Sequence, residues 1–183
     1  MTSVAEAERL DVRRARRVPL ADLTSVAPAT VGREGIEQLI PHRAPFLLID
    51  RLTHCDPARG LIAGERAIDV DDPVFRGHFP GEPVYPGSLQ IEAAGQLALC
   101  LEGLLASTTT DGGPRQVRAI GVRDARFVFP VRPGDTLTLI AQRWGHDDLM
   151  ASALVQTLVA GRVCAVALIE CVFVPPSATG HDA

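Results

Sequence analysis

The sequence contains no lysine; all 18 of its basic residues are arginine. An enzyme that forms a Schiff base needs a lysine amine, so that class of reaction is excluded. The net charge is −4, and a chain without an excess of basic residues does not indicate a nucleic-acid-binding surface. No uninterrupted apolar run reaches the ~18 residues of a membrane span. We therefore expect no nucleic-acid partner and no membrane insertion.

Cysteine is scarce and shows no metal-binding pattern. The four cysteines include no CxxC pair and have no histidine at zinc-finger spacing. Cys100, Cys164 and Cys171 lie in apolar runs, which is typical of buried free thiols. The N-terminus lacks the charged-then-apolar order of a signal peptide, and Glu6 and Glu8 argue against a transit peptide. We expect a reducing, cytoplasmic location and no bound metal.

The chain has the length of one domain, and its 46% of hydrophobic residues can form a substantial core. Residues 1–30 are predicted to be an N-terminal extension that is flexible or partly helical. Residues 31–176 form the predicted domain, and residues 177–183 a disordered tail. The extension carries an arginine cluster, which we interpret as a solvated surface in preference to a docking arm for an acidic partner. This cluster consists of Arg13, Arg14, Arg16 and Arg17.

Two helices and six strands are predicted between the tails. A short amphipathic helix over 32–40 is ended by Pro41. Pro86 and Gly87 open a second helix that runs to about Ala106. This second helix is apolar nearly all round, so it is expected to lie inside the fold. The strands are predicted at 46–53, 60–70, 116–129, 135–144, 149–160 and 162–174.

Short turns join the last four strands, which indicates that consecutive strands are antiparallel. One buried helix beside a long antiparallel sheet leaves the sheet as the only element that can cover the helix. The predicted fold is therefore α+β, with a long central helix wrapped by an antiparallel sheet.

Residues 76–98 combine a glycine- and proline-rich loop with the start of the long helix. The loop carries His78, and the first turns of the helix carry a single acid, Glu92. An imidazole and a carboxyl group are the pair needed to move protons near neutral pH. Taken alone, Glu92 is more typical of a solvated stripe or a salt bridge. Together with the loop that carries His78, it indicates an acid–base site.

Three segments carry a resemblance to a known family. They read LIPHRAPFLLIDR at 39–51, GHFPGEPVYPGSLQIEAAGQ at 77–96 and IGVRDARFVFPVRPGD at 120–135. In order and spacing they resemble, over residues 31–174, the β-hydroxyacyl-(acyl carrier protein) dehydratases of the FabZ type. The resemblance implies the hot dog fold. It also implies conversion of (3R)-hydroxyacyl thioesters on acyl carrier protein to trans-2-enoyl thioesters, in fatty acid or polyketide-type biosynthesis.

The resemblance also implies roles for individual residues. His78 corresponds to the catalytic histidine and Glu92 to the catalytic acid. Gly87 matches the glycine whose backbone N–H receives the thioester carbonyl, and Gln96 matches a helix position whose side chain supports the acid. Because the two catalytic groups of one site come from different subunits in that family, it implies a homodimer with shared active sites, which could assemble further into a hexamer.

The chemistry suits these residue types. Dehydration removes a proton from C2 of the 3-hydroxyacyl group and expels hydroxide from C3. Imidazole titrates near neutral pH, which suits His78 to the first step. An apolar helix disfavours a charged carboxylate, so Glu92 is expected to keep a proton to donate in the second step. The N–H of Gly87, at the start of the helix, can stabilise the charge that develops on the thioester oxygen.

Three further residues have two interpretations each. Phe79 flanks His78 and could line an acyl tunnel or belong to the core, and Tyr85 could gate that tunnel or simply pack. Both are kept as candidate substrate-binding residues. His42, which lies between two prolines, is interpreted as a structural turn residue in preference to a site residue.

The expected partner is an acyl carrier protein, and no cofactor is expected beyond the phosphopantetheine of that carrier. Val128 and Phe129 stand where the family usually has basic residues that help dock the acidic carrier. Arg126, Arg132 or the N-terminal arginines could take over that role.

Two other functions remain open at this stage. A hot dog acyl thioesterase shares the fold, but that branch generally lacks a histidine loop followed by a glutamate in the position of Glu92. A non-catalytic subunit that binds the acyl carrier would need neither His78 nor Glu92.

Overall fold

The computed structural model describes residues 12–106 and 116–174. Helix α1 spans Arg33–Leu39 and helix α2 spans Gly87–Ala106, in agreement with the two predicted helices. Residues 12–15 are also helical. The strands are β1 (Pro28–Gly32), β2 (Arg51–Asp56), β3 (Leu61–Ala67), β4 (Gln116–Phe127), β5 (Thr136–His146), β6 (Met150–Val159) and β7 (Arg162–Val174).

The seven strands form one sheet in the order β1-β2-β3-β5-β6-β7-β4. Every neighbouring pair is antiparallel. The sheet curves round α2, which packs against β3, β5, β6 and β7. The predicted α+β fold, a long helix wrapped by an antiparallel sheet, is confirmed.

Helix α2 lies at the centre because its sequence offers no continuous polar face. It begins after Pro86, whose carbonyl accepts the N–H groups of Leu89 and Gln90 at 3.1 Å each. By length and composition α2 could cross a membrane, but half of the relevant window is buried inside the fold, as is usual for a core helix. Its buried apolar residues are Ile91, Ala93, Ala94, Leu97, Cys100 and Leu101.

The predicted strand over 46–53 is wrong in its first half, because β2 begins only at Arg51. Residues 47–49 are buried, which explains why their pattern suggested a strand. Their backbone is instead held by a side chain of α2: the N–H of Leu48 donates to Oε1 of Gln96 at 2.8 Å. Residues 47–49 are therefore buried because they contact α2, and they are not part of a strand.

Strand β4 lies at an edge of the sheet, whereas the short PVRPGD turn predicted that it would pair with β5. It pairs with β7 instead, and β5 lies between β3 and β6. The turn is drawn away from the edge by hydrogen bonds to other segments. The N–H of Tyr85 donates to the carbonyl of Val131 at 2.7 Å, and the N–H of Ile68 donates to the carbonyl of Asp135 at 2.8 Å.

Residues 12–26 cover the face of the sheet opposite to α2. Side chains alternate between the two faces of a strand, and in β3 Ile62 belongs to the core around α2. Its neighbours Leu61 and Ala63 belong to a second cluster that includes Val26. This segment, which the sequence analysis assigned to the N-terminal extension, therefore packs on the sheet as far as the structure describes it.

Gln156 in β6 holds that segment in place. Its side chain is fully buried, and its Oε1 accepts the N–H of Leu20 at 2.9 Å. Its Nε2 donates to the carbonyl of Val18 at 2.9 Å and to the carbonyl of Ala15. Three bonds from one buried amide fix the position of the segment against the sheet.

We predict that Gln156→Leu loosens residues 12–26. The change leaves one N–H and two carbonyls without their partner, and each such group costs about 1–3 kcal/mol when it is buried. Backbone hydrogen exchange in residues 12–26 should become faster, and the free energy of unfolding should fall by about 3 kcal/mol or more, the sum over the three groups. Gln142→Leu, the same change on β5, is the control. Equal exchange in the two variants would contradict the prediction.

Candidate active site

A cavity of about 530 Å³ lies between α2 and the strands β4, β6 and β7. Its walls are mainly apolar and include Ile91, Phe127 and Ile169. The predicted acid Glu92 and its predicted support Gln96 both line it. A mainly apolar cavity with a few convergent polar groups is typical of a small-molecule site.

Glu92 is held by Gln96, one helical turn further along α2. The Nε2 of Gln96 donates to Oε1 of Glu92 at 2.9 Å and to the carbonyl of Phe46 at 2.9 Å. Its Oε1 accepts the N–H of Leu48. Gln96 is 1% exposed, so this one amide ties the acid to the buried segment that precedes β2.

The surroundings of Glu92 differ from the expectation of an acid shielded from water. Its side chain is 38% exposed, because the cavity is open in the single chain. The apolar wall next to it comes from Ile91 and Phe127. This chain therefore supplies the apolar side of the site but does not by itself exclude water from the carboxyl group.

His42 lies beside Glu92, which the sequence analysis missed. Its Nε2 is 3.7 Å from Oε1 of Glu92, and its ring stacks on Phe46 with the centroids 6.5 Å apart. Its Nδ1 is buried without a hydrogen-bond partner among the described residues. The interpretation of His42 as a turn residue alone is therefore incomplete. The signal available in the sequence was the place of His42 in the first family motif, residues 39–51.

His78 is rigidly placed by the loop that precedes α2. The carbonyl of Val74 accepts the N–H of His78 at 3.0 Å, at the end of a 3₁₀ turn over Pro73–Arg76. The His78 Nδ1 lies 2.7 Å from the carbonyl oxygen of Val84. In the opposite direction, the N–H of Val84 donates to the His78 carbonyl at 3.0 Å. The ring therefore has a single well-defined orientation.

Gly87 is the first residue of α2, where a backbone N–H has no acceptor within the helix. A Cβ at this position would lie 2.5 Å from Cε1 of Phe127. Glycine therefore lets the Phe127 ring of β4 close over the start of the helix, at the wall of the cavity. Close packing of Phe127 is thus a second reason for glycine here, besides the backbone N–H that the family resemblance assigns to the thioester carbonyl.

Phe79 and Tyr85 are placed differently from each other. Phe79 is 53% exposed, and its ring stacks on the His78 ring with the centroids 4.0 Å apart. Tyr85 is 1% exposed and belongs to the core around α2. Its ring lies 5.9 Å from the guanidinium carbon of Arg66. This position favours the packing interpretation of Tyr85, while Phe79 stays a candidate next to the histidine.

The described chain brings some of the predicted residues together and leaves others apart. Glu92 and Gln96 share the cavity, and Gly87 adjoins it through Phe127. His78 does not line this cavity in the part of the chain that the structure describes.

The cysteines are free thiols, as predicted. Cys100, Cys164 and Cys171 are buried, and burial raises the pKa of the Cys100 thiol to about 12. Within residues 12–106 and 116–174, no three histidine, cysteine, aspartate or glutamate side chains form a group that could hold a metal ion.

Comparison with known proteins identifies the family of this chain. Residues 40–167 match the FabA-like domain. The 3-hydroxyacyl-[acyl-carrier-protein] dehydratase FabZ of Campylobacter curvus is 33% identical over 141 residues, which cover 76% of this chain and 95% of that protein. The enzyme of the same name from Syntrophotalea carbinolica is 36% identical, over 78% of this chain and 94% of that protein.

A solved structure supports the fold. The dehydratase heterocomplex ApeI:P from Xenorhabdus doucetiae superposes with a TM-score of 0.65 at 16% identity, over 78% of this chain and 91% of that one. The match to the family domain includes the His78 loop, the whole of α2 and all the residues that line the cavity except Ile169 and Cys171. This chain belongs to the FabA-like family of hot dog proteins.

Proposed function

We propose that this protein eliminates water from (3R)-hydroxyacyl thioesters carried on acyl carrier protein and releases trans-2-enoyl thioesters. Membership of the FabA-like family and the activity named for its FabZ relatives support the proposal. One observation carries it for this chain. His78 and Glu92 are each anchored through one polar atom, so that the other atom is left to meet a substrate.

His78 is the proposed base. A carbonyl oxygen can only accept a hydrogen bond, so the Nδ1 that contacts the Val84 carbonyl carries the hydrogen. In the neutral ring Nε2 then has the free lone pair. That atom takes the proton from C2 of the 3-hydroxyacyl group.

Glu92 is the proposed acid. Gln96 donates a hydrogen bond to its Oε1, so in the neutral acid the proton lies on Oε2. As the C2–H electrons form the C2=C3 double bond, the C3–O bond breaks and the leaving hydroxyl takes this proton to become water. The N–H of Gly87 and the positive end of α2 stabilise the negative charge on the thioester oxygen.

A complete site needs a second copy of the chain. The cavity that holds Glu92 is not lined by His78 within the described chain. Strand β4 forms a wall of that cavity and is an edge strand: among residues 12–106 and 116–174, one of its sides has no neighbouring strand. It exposes Ile120, Val122 and Phe127, and such an edge invites pairing with another strand. We propose a homodimer in which each copy supplies His78 to the Glu92 of the other.

The proposed surface for the acidic carrier lies next to this edge. Arg13, Arg16 and Arg17 surround an open depression together with Arg126 and Asp124. Arg126 is the neighbour in sequence of Phe127, which lines the cavity. These arginines supply the positive charge that is absent at the positions of Val128 and Phe129, and complementary charge accelerates and orients docking.

We expect His78→Ala and Glu92→Gln each to lower turnover at least ~100-fold, because each removes a proton-transfer group. Enoyl absorbance and free thiol should be followed with purified protein and a 3-hydroxyacyl thioester on its carrier. His54→Ala, which removes a histidine bonded to Thr53, is the control and should stay active. Thiol release without enoyl product would identify a thioesterase. No reaction at several chain lengths would favour a non-catalytic carrier-binding subunit.

Mixed dimers test the shared site. His78→Ala and Glu92→Gln proteins, each inactive alone, should regain activity when they are unfolded and refolded together, because a mixed dimer holds one site with both groups intact. About a quarter of the wild-type activity is expected from random pairing. If the mixture stays as inactive as its components, each site draws both groups from one chain.

Removal of two arginines tests the carrier surface. Arg13→Ala/Arg17→Ala should raise KM several-fold for a carrier-bound substrate but not for the same acyl group on a free pantetheine. The effect should fade at high salt, where surface charges are screened. Arg14→Ala is the matched control, since Arg14 is exposed in the same segment but does not line the depression. An equal change in KM for both substrates would count against docking at this surface.

A further inference from the structure

An ion pair stands in the wall of the same cavity, far from Glu92. Glu102 of α2 and Arg143 of β5 both line the cavity. Oε1 of Glu102 accepts from Nε of Arg143 at 2.9 Å, and its Oε2 accepts from Nη2 at 2.6 Å. Nε2 of His146 lies 3.6 Å from Oε2 of Glu102. Glu102 and Arg143 therefore form a bidentate salt bridge, and His146 is one further polar neighbour of Glu102.

Glu92 and Glu102 mark the two ends of one helical face. Glu92, Gly95, Leu99 and Glu102 follow one another at intervals of three or four residues, which places them on the same side of α2, and all four line the cavity. At a rise of 1.5 Å per residue the two acids are separated by ~15 Å along the axis. Between them the wall is formed by Gly95 and Leu99. An acyl chain that starts at Glu92 therefore runs over an apolar stretch and ends at the ion pair.

The cavity is narrow at Gly95, which lies between Glu92 and Glu102. A Cβ at Gly95 would lie 3.1 Å from Cδ1 of Ile169, which is tighter than an ordinary contact. Glycine at this position keeps the path open between α2 and β7. The far end of the cavity is thus reachable from Glu92 along the helix.

A methyl group packed against the ion pair is unfavourable. The side chains of Glu102 and Arg143 are 15% and 26% exposed, so water still reaches them through the cavity. A hydrocarbon end that fills this space removes that water without replacing its hydrogen bonds, which is unfavourable for charged groups. A hydroxyl group can replace them, since it both donates and accepts.

The pair favours a neutral polar group over an ion. Its two charges cancel, so the pair has no net charge that would attract a carboxylate or an amine. Hydrogen-bonding capacity nevertheless remains. Nη1 of Arg143 has no protein acceptor among residues 12–106 and 116–174, and each oxygen of Glu102 retains a lone pair.

We propose that the cavity selects acyl chains with a hydroxyl group at their far end, and that Glu102 and Arg143 determine this specificity. The inference rests on the proposed dehydratase function and adds the substrate class to it. The competing explanation is that the pair only ties α2 to β5. A purely structural pair would affect stability but would leave the choice between substrates unchanged.

The test compares two 3-hydroxyacyl thioesters of equal heavy-atom count, long enough to span ~15 Å, one ending in methyl and one in hydroxyl. For the wild type we expect kcat/KM for enoyl formation to favour the hydroxyl-ended chain about fivefold or more, the ratio given by one net hydrogen bond. A second pair of substrates, too short to reach Glu102, should show a ratio near one. These wild-type measurements decide the question even if a variant fails to fold.

The variant Glu102→Leu/Arg143→Leu removes both charges together, because loss of one partner alone would leave an unpaired buried charge. Its preference should reverse towards the methyl-ended chain. Arg51→Leu/Glu65→Leu is the matched control: it removes another ion pair between charged side chains, at 2.5 Å between β2 and β3, which does not line the cavity. This control should keep the wild-type ratio.

The possible outcomes distinguish failure of this inference from failure of the proposed dehydratase function. Enoyl formation with no preference for the hydroxyl-ended chain, or a preference that persists in the double-leucine variant, overturns the inference alone. Absence of enoyl product with every substrate overturns the proposed function and the inference with it.

Discussion

Burial of α2 is the constraint on which the rest of the structure depends. A helix that is apolar nearly all round gains roughly 25 cal/mol for each Å² of apolar surface removed from water, and only a curved sheet can cover so much of it. Ala93, Ala94 and Leu97 belong to the core around the helix and are fully covered. Glu92 and Glu102 lie on another side of the helix, which lines the cavity. Core and candidate site are thus two faces of one helix.

An apolar enclosure makes each polar group inside it dependent on a partner, because an unsatisfied buried group is costly. Gln96 meets this requirement for three groups at once: the Leu48 N–H, the Phe46 carbonyl and the carboxyl of Glu92. It thereby links the first and second family motifs, which are distant in sequence. The same bonds hold the segment before β2 against the helix, and His42 of the same motif lies 3.7 Å from the acid. Placement of the acid and the local chain path have one physical cause.

The two faces of the sheet are covered by different segments, and its β4 edge exposes apolar side chains. One face covers α2, and the other is covered by residues 12–26 through apolar contacts and the buried amide of Gln156. At one edge, β4 exposes apolar side chains beside an open cavity, which His78 does not line in the described part of the chain. His78 and Glu92 therefore do not line one common cavity within residues 12–106 and 116–174. This is the structural basis for the proposal that catalysis belongs to a pair of chains.

Local features of the sequence determined both helices, most of the strand bounds, the central place of α2 and the pairing of Glu92 with Gln96. Those features are short-range: proline and glycine at helix ends, a helix without a polar face, and two side chains one turn apart. Only the tertiary structure decided that β4 lies at the edge, that residues 47–49 bind a helix side chain, and that His42 adjoins Glu92. It also joined Glu102 to Arg143, 41 residues later in the chain. Such contacts depend on strand order and register, which are set by the packing of the whole sheet round α2 and leave no periodic trace at the residues concerned.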